Sequence, residues 1–342
     1  MNSASSPDFL NISYNIISIS SIPIYILGFY CVLTKCPKSG IILKWCLLIS
    51  CFWCCLMDCF VNILIHPMIL FPQYCIYTLG PFTMYFDVSQ EFQVFMFFFT
   101  FSGVSTSCIC NIGNRYHHIK NIRIRPIIFH ASICLLNLCF QILFMIALFI
   151  NVPDQQSALQ VVFSSLPNLP PIFHLMTPPF VLSLNKSSTL LKITVIGLLI
   201  IGQYLTFFGF VYYELFLITN SSMSIATRKL QKSLFIDVTI QSLVPIVSMT
   251  IPFSYFIGAG IYNYHNQGIL HKMREELFLI VSKLFPALNN ISFISFGLHG
   301  IINGITMLLI HKPFRQFMFC YSDKIRKTEV PIISAWVDRK TL

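Results

Sequence analysis

The sequence contains too little charge to cover a protein surface that faces water. Only 10% of its 342 residues are Asp, Glu, Lys or Arg, whereas 56% are hydrophobic. Soluble globular proteins carry about 25% charged residues. The length alone would suit two or three soluble domains. The shortage of charge argues against them and indicates that lipid covers much of the molecule.

The motifs that mark common enzymes and metal sites are also missing. The sequence has no glycine-rich phosphate loop, no HExxH motif and no GxSxG motif. His117 and His118 are adjacent, so on a helix they point about 100° apart and cannot easily share a metal ion. Nearly all of the 13 cysteines lie in apolar runs, where cysteine behaves as a small hydrophobic residue. We expect no enzyme activity, no cofactor and no metal site.

Long apolar runs are what the sequence has instead. A membrane-spanning helix needs about 20 mostly apolar residues. Seven segments reach that length: Tyr14–Thr34, Trp45–Leu70, Phe86–Ile112, Ile127–Ile150, Thr189–Leu217, Leu234–Ile261 and Leu277–Ile310. They do not show the short alternating pattern of a transmembrane barrel. We therefore predict an all-α integral membrane protein, built as a bundle of seven transmembrane helices.

The distribution of basic residues predicts the orientation of this bundle. Most of the 22 Lys and Arg residues follow the first, third, fifth and seventh segments, and the first 13 residues contain none. Because basic loops stay in the cytoplasm, we expect the N-terminus outside and the C-terminus inside. Residues 1–13 are then an extracellular tail, 14–311 the seven-helix domain, and 312–342 a cytoplasmic segment. The same bias, together with anionic membrane lipid, explains the net charge of +10 without a nucleic-acid partner.

The seventh segment ends at a corner of sequence His-Lys-Pro-Phe-Arg. Pro313 either stops this helix or begins the next one, and we predict a short amphipathic helix on the membrane surface, with Phe314 towards lipid. Cys320 in that surface segment is a palmitoylation candidate. On the predicted outer side, Asn11 and Asn185 begin glycosylation sequons.

Polar residues inside the apolar segments are expensive in lipid and usually face the interior of the bundle. Asn289, Ser292, His299 and Asn303 fall on one stripe of the seventh segment. Two interpretations remain open, namely hydrogen bonds that hold helices together and contacts that change partner on activation. Glu91, one turn after Asp87, either faces an outer cavity, where it would bind a cationic ligand or pair with Lys283, or extends to water.

Several stretches together resemble a known receptor family. Asn114-Arg115-Tyr116 ends the third segment, LPNLPPIF (166–173) lies in an outer loop, and LQKSLFIDVTIQSLVPIVSMTIPFSYF (230–256) forms the sixth segment. The last stretch is NNISFISFGLHGIINGITMLLIHKPFRQF (289–317). In this order they resemble the nematode chemosensory G-protein-coupled receptors called serpentine receptor class H. Gly113 departs from the pattern, since the family usually has an acidic residue there, and Asn168 stands where a loop cysteine is often found.

The resemblance implies a plasma-membrane receptor, placed in the cilium of a sensory neuron, that binds a small external molecule and activates a heterotrimeric G protein. Candidate ligand-pocket residues are then Glu91, Tyr255, Phe256, Asn289, Ser292 and Phe296. Candidate activation and coupling residues are Asn114, Arg115, Tyr116, Asp237, His299, Asn303, Pro313 and Arg315. Because Gly113 carries no acid, any ionic restraint on Arg115 would come from elsewhere, with Asp237 as the candidate.

Two other functional classes were weighed against a receptor. Transporters often contain repeated halves with interrupted helices, and the sequence shows neither a repeat nor paired breaks. A transporter or channel for a small solute is nevertheless the alternative. A membrane enzyme comes third, because no nucleophile or metal-ligand constellation is evident.

Overall fold

The computed structural model describes residues 6–36, 41–70, 74–120, 122, 124–165, 178–218, 224–265 and 275–319. Within them, seven helices are long and apolar enough to cross a membrane, which confirms the predicted bundle. They are α1 Pro7–Lys35, α2 Ile41–Asp58, α3 Gln90–Lys120, α4 Pro126–Phe149, α5 Lys186–Tyr212, α6 Ile225–His265 and α7 Glu275–Ile310. A π-helical segment extends α2 over Cys59–Ile65, and another extends α5 over Tyr213–Leu217.

The described helices begin at other residues than predicted; α6, for example, begins at Ile225 instead of Leu234, and two of the differences, in α1 and α3, have a visible local cause. Helix α1 begins at Pro7, inside the stretch 1–13 assigned to a tail, because the Ser6 hydroxyl accepts a hydrogen bond from the Phe9 amide and caps the helix. Helix α3 begins at Gln90 instead of Phe86. Asp87 has a left-handed backbone with φ of 49°, so it stands outside the helix and not one turn before Glu91.

The predicted end of α2 at Leu70 was wrong because of a proline. The π-helical segment stops at Ile65, and Pro67 begins a strand. A proline disfavours the helical conformation in the residue before it. His66 accordingly adopts a left-handed conformation with φ of 47°, and its ring nitrogens lie 2.5 Å from Asn11 Oδ1 and 2.7 Å from the Asn62 carbonyl oxygen.

A small antiparallel sheet joins two loops at the end of the bundle where α1 begins. Strand β1 (Pro67–Leu70) pairs with β2 (Cys75–Thr78), and β2 pairs with β3 (Phe180–Val181) from the loop after α4. Cys75 is buried opposite Val181 as a free thiol. Gln155, on the loop helix Gln155–Ser165, binds both the amide and the carbonyl of Val181. Sequence patterns of length and hydropathy revealed neither this sheet nor the loop helix.

Helix α3 lies at the centre of the bundle and contacts α2, α4, α5 and α6, whereas α7 packs on α1, α2 and α6. Helix α5 is the most peripheral of the seven. Only 6% of the residues in its 18-residue apolar stretch are buried, against 50% for the corresponding stretches of α3 and α7. Its outward leucines would contact lipid. Helix α5 also forms one wall of a cavity of about 310 Å³.

Helix α8 (Lys312–Met318) confirms the turn after α7, with His311 as its N-cap and Pro313 in its first turn. Phe314 is only 1% exposed, so its predicted orientation towards lipid was wrong. His311 also turns inward, where its Nε2 lies 2.9 Å from Gln241 Oε1 of α6. His311 therefore connects the junction of α7 and α8 to α6.

The burial of His311 predicts acid sensitivity of this tie. Burial, with a smaller contribution from Arg115, lowers the pKa of His311 to about 4. The unfolded chain therefore binds more protons between pH 6.5 and 4, and acidification destabilises the folded state. Between pH 6.5 and 5 we expect a loss of about 2 kcal/mol from this group.

The measurement is the melting temperature of the detergent-solubilised protein between pH 7 and pH 5. A His311→Gln variant keeps a hydrogen-bonding side chain without a titrating ring, so its stability should fall less over this range. Parallel pH curves for the parent and the variant would show that His311 does not carry the effect.

Candidate functional site

A cluster of polar side chains is buried between α1, α2 and α7. The Tyr25 hydroxyl donates to Asp58 Oδ2 over 2.7 Å. His299 Nδ1 lies 3.3 Å from Asp58 Oδ1 and 2.7 Å from the Phe296 carbonyl oxygen. Because both neighbours of Nδ1 are acceptors, that nitrogen carries a proton. Asp58 and His299 are 2% and 0% exposed, so three helices share one contact that neither water nor lipid reaches.

Neighbouring hydrogen bonds extend this central cluster along the same helices. Asn62 Nδ2 donates to the Gly297 carbonyl over 3.0 Å, and the Ser18 hydroxyl donates to the Asn62 carbonyl over 2.7 Å. Asn303 Nδ2 lies 3.1 Å from Cys54 Sγ. All four members of the predicted α7 stripe are buried, and Asn289, His299 and Asn303 bind other elements. A change of partner on activation stays a prediction.

Asp58 is the main functional candidate that the sequence analysis missed. It stands alone as an acid in the apolar run WCLLISCFWCCLMDCFVNILI (45–65). An ionisable residue inside a transmembrane segment is costly and usually marks a functional contact. That signal was available in the sequence, but only the structure identifies Tyr25 and His299 as the partners.

Glycines on α7 allow the helices to approach this cluster. A Cβ atom on Gly300 would overlap both the Tyr25 hydroxyl and the Asp58 carboxylate. One on Gly297 would overlap Asn62 Oδ1, and one on Gly304 would lie 2.7 Å from Ile24 Cγ2. The absence of a side chain at these three positions therefore permits close helix packing.

Arg115 lies buried at the opposite end of α3 from the loop sheet. It is 4% exposed, and its Nε and Nη2 have no hydrogen-bond partner among the described residues. Asp237 of α6 is close enough to interact electrostatically with both Arg115 and Arg315, but the described residues show no Arg115–Asp237 ion pair within 4 Å. The predicted restraint is thus a longer-range attraction in this conformation.

The residues around Arg115 fix the end of α3 against its neighbours. Asn114 is fully buried, and neither end of its amide has a described partner. Tyr116 stacks on Phe210 of α5 with ring centroids 5.4 Å apart. A Cβ on Gly113 would lie 3.2 Å from Ile133 of α4, so an acidic side chain there would have to displace that contact. His117 is buried, and its Nε2 lies 2.8 Å from the Ile124 carbonyl oxygen.

Two adjoining cavities lie between the loop sheet and the middle of the bundle. The larger, about 310 Å³, is lined by α3, α4, α5 and α6. The smaller, about 50 Å³, lies under the sheet, where Tyr74, Ile76 and Leu182 line it. Phe98, Ile193, Phe253 and Ile257 line both.

Of the candidate pocket residues whose side chains the structure describes, none lines either cavity. Glu91 is exposed on the first turn of α3, and Asn289 donates to the Ile69 carbonyl of β1 over 2.9 Å. Phe296 packs against Phe97 and Phe253, which do line cavities, with ring centroids 5.8 and 5.4 Å apart.

Two further pocket candidates lie in the packed interior. Ser292 is buried, Tyr255 packs against the hydrophobic core, and neither lines a cavity. The side chains of Phe256 and Lys283 lie outside the described residues. Sequence reasoning missed the polar wall residues Gln141 and Tyr204, although a glutamine within the apolar run of α4 was a visible signal.

The candidate modification sites have different surroundings. Asn11 lies within α1, and its side chain contacts His66. Asn185 is exposed and caps α5 by accepting from the Ser188 amide. Cys320 and the proline-rich stretch 166–173 lie outside the described residues.

Comparison with known proteins adds one match. The family model described as serpentine type 7TM GPCR chemoreceptor Srh matches residues 5–273 and 277–322. It therefore covers nearly the whole chain, including all seven helices and α8. No curated protein matches the chain.

The close contact at Gly300 predicts a stability defect. In Gly300→Ala the methyl group must displace the Tyr25–Asp58 pair, and overpacking of this kind costs about 1–3 kcal/mol. Gly209→Ala is the matched control, because nothing lies within 4 Å of a Cβ at that α5 position. The control should be neutral or more stable by up to about 1 kcal/mol.

Thermal denaturation in detergent measures both variants. Equal melting temperatures for Gly300→Ala and the parent would contradict the tight approach of α7 to α1 and α2.

Proposed function

The chain belongs to the Srh family of serpentine seven-transmembrane chemoreceptors, and on that premise we propose that it detects a small external molecule and activates a heterotrimeric G protein. The proposal places this multi-pass membrane protein in the plasma membrane, in the cilium of a sensory neuron. Membrane lipid is its solvent, and no nucleic-acid partner is needed.

The observation that carries the proposal is a cavity connected to a buried arginine by continuous helices. The 310 Å³ cavity lies within the usual range of ligand pockets, about 300–1,000 Å³. Two of its walls, α3 and α6, also hold Arg115 and Asp237 at the other end of the bundle. A ligand that fits one arrangement of these helices better than another shifts their equilibrium by its difference in affinity.

Helix α6 is suited to transmit such a change. Pro245 lies inside it and lines the cavity, so the i−4 backbone hydrogen bond is missing at the point a ligand would touch. Gln241, one turn away, is bound to His311 at the start of α8. A shift of α6 at the cavity would therefore move the contact that joins α6 to α7 and α8.

At the Arg115 end we propose the contact with the G protein. Buried polar groups without partners are costly, and Asn114 and Arg115 together present several. A carbonyl-rich or acidic segment of the G protein would satisfy them once α6 moves away. Tyr116, Asp237, Pro313 and Arg315 surround this contact, while His299 and Asn303 hold α7 against α2 above it.

The proposed orientation follows the basic residues, with the N-terminus outside and Arg115 on the cytoplasmic side. Residues 312–342 are then the cytoplasmic surface helix and tail, and 14–311 the bulk of the seven-helix domain. The proposed extracellular tail, 1–13, includes the first turns of α1, which begins at Pro7.

Replacing Arg115 separates coupling from folding. Arg115→Ala should reach the cell surface but lose G-protein activation, because it removes the charge offered to the G protein. Lys120→Ala is the matched control, since this half-exposed residue at the end of the same helix pairs with Glu214. The readout is a cyclic-nucleotide or calcium response in cells that co-express candidate G proteins, after a chemical screen has supplied an agonist.

Surface labelling measures whether each variant reaches the plasma membrane. Normal surface levels with a silent Arg115→Ala and a responsive Lys120→Ala support the role. An undiminished agonist response in Arg115→Ala would remove Arg115 from the coupling contact.

An N-terminal epitope tests the orientation. We expect an antibody to label intact cells expressing the tagged receptor, and a C-terminal tag to require permeabilisation. The reverse pattern would overturn the proposed topology.

A further inference from the structure

The walls of the 310 Å³ cavity specify the chemistry of what it binds. We propose that the ligand is a neutral, largely apolar molecule with one oxygen acceptor, and that it enters from the bilayer between α5 and α6. This inference rests on the proposed function, in which the cavity is the ligand site.

The described walls of both cavities carry no charged side chain. Among the residues that the structure describes, those that line the cavities include no Asp, Glu, Lys, Arg or His. Moving an unpaired ion out of water into such surroundings costs several kcal/mol even after the protein relaxes. A carboxylate or an ammonium ligand would find no counter-ion on these walls, so the cavity selects uncharged molecules.

Two hydrogen-bond donors, Gln141 and Tyr204, lie at the wall of the larger cavity. Gln141 of α4 and Tyr204 of α5 both line the cavity and are each 6% exposed. Gln141 Nε2 and the Tyr204 hydroxyl make no hydrogen bond of normal geometry within the described chain, although Ser242 lies beside Tyr204. The Ser105 hydroxyl, by contrast, is already bonded to the Phe101 carbonyl.

An unsatisfied buried donor costs about 1–3 kcal/mol. A carbonyl, ester or hydroxyl oxygen on the ligand would remove that cost, and a plain hydrocarbon would not. The two donors therefore favour an apolar molecule with a single oxygen-containing group.

The volume sets the size of the ligand. A cavity of about 150 Å³ holds benzene, with its six carbon atoms. In proportion, 310 Å³ accommodates a ligand of about 12 non-hydrogen atoms. This is the size of a medium-chain ketone, alcohol or ester.

The side wall towards lipid provides a route into the cavity. Leu198 and Leu205 of α5 and Leu243 of α6 line the cavity and are also 65%, 58% and 47% exposed. Gly197 lines it as well, and nothing lies within 4 Å of a Cβ at that position.

At the outer end, by contrast, the loop sheet covers the approach from water. Ile76 and Leu182 of this cover are buried, at 7% and 2% exposure, and Gln90 at the start of α3 binds the Pro178 carbonyl of the same loop. The wall between α5 and α6 is therefore the open side, and a molecule dissolved in the bilayer can reach it directly.

The test uses the purified full-length receptor in lipid nanodiscs and measures binding without a G protein. The neutral probes are 2-decanone, 1-decanol and octyl acetate, and the matched ions are decanoate and decylamine at neutral pH. Empty nanodiscs correct for partition into lipid. We expect at least one neutral probe to bind the receptor. Each ion should bind at least about tenfold more weakly than that probe, a difference of about 1.4 kcal/mol.

Two variants locate that binding in the cavity. Gly197→Trp fills the cavity from α5 and should weaken neutral binding at least about tenfold, whereas Gly209→Trp, on the same helix and away from the cavity, should leave it unchanged. Gln141→Leu keeps the shape of the side chain and removes a hydrogen-bond donor. It should therefore weaken the binding of 2-decanone but not the binding of undecane, a hydrocarbon without an oxygen. If Gly197→Trp fails to fold, Gln141→Leu decides the location by itself.

The route is tested by kinetics. Leu243→Trp narrows the opening and should slow association and dissociation of the neutral probe together, whereas Ile240→Trp, exposed on α6 but not lining the cavity, should not. Unchanged rates in Leu243→Trp would overturn entry between α5 and α6.

The proposal about chemistry is overturned if no neutral probe binds, if an ion binds equally well, or if neither Gly197→Trp nor Gln141→Leu affects binding. An agonist that is charged would refute the ligand class while leaving the receptor function intact. Tight neutral binding without activation of any G protein would refute the receptor function and leave the ligand class standing.

Discussion

The buried carboxylate of Asp58 is the constraint on which the bundle depends. In lipid no water can pair with such a group, so the chain must supply every partner. Tyr25 donates a hydrogen bond from α1, and His299 Nδ1 of α7 lies 3.3 Å from the other carboxyl oxygen, while Gly300 allows the helices to come close enough. The cluster therefore determines how α1, α2 and α7 lie against one another, and α3 to α6 enclose the cavity on the remaining side.

This division of the bundle matches what each half has to do. The α1–α2–α7 side is joined by specific polar contacts with fixed partners, from Ser18 and Asn62 to Asn303 and Cys54. The α5 side is joined mainly by apolar surfaces, and several α5 positions face open space. Apolar packing allows small displacements that a chain of buried hydrogen bonds does not. In the proposed function, a ligand held against α5 and α6 would therefore contact the side of the bundle that is joined by apolar packing, and the α1–α2–α7 side would be the reference for any displacement.

The sequence predicted the bundle well because lipid imposes a simple requirement on helix length and hydropathy. It also predicted the inward stripe on α7, since helical spacing alone places Asn289, Ser292, His299 and Asn303 on one face. The proline in His66-Pro67 made the end of α2 predictable. The apolar run continues through Leu70, however, and hydropathy alone therefore placed the end too late. The loop sheet was less accessible, because the pairing of Cys75 with Val181 joins residues that are distant in the sequence. The cavity walls were missed for a similar reason: which side of α4 carries Gln141 towards α5 depends on packing, whereas polarity alone drew attention to exposed Glu91.

The loop sheet has a consequence for how receptors of this design can diversify. Its strands are fastened through backbone amides and carbonyls, and the thiol of Cys75 takes no part in a disulfide. Backbone pairing does not depend on the identity of the side chains it carries, so Ile76 and Leu182 can be exchanged for other apolar residues without loosening the strands. The side chains of the sheet that covers the cavity can then change in small steps, while the backbone pairing that closes this end of the cavity stays the same.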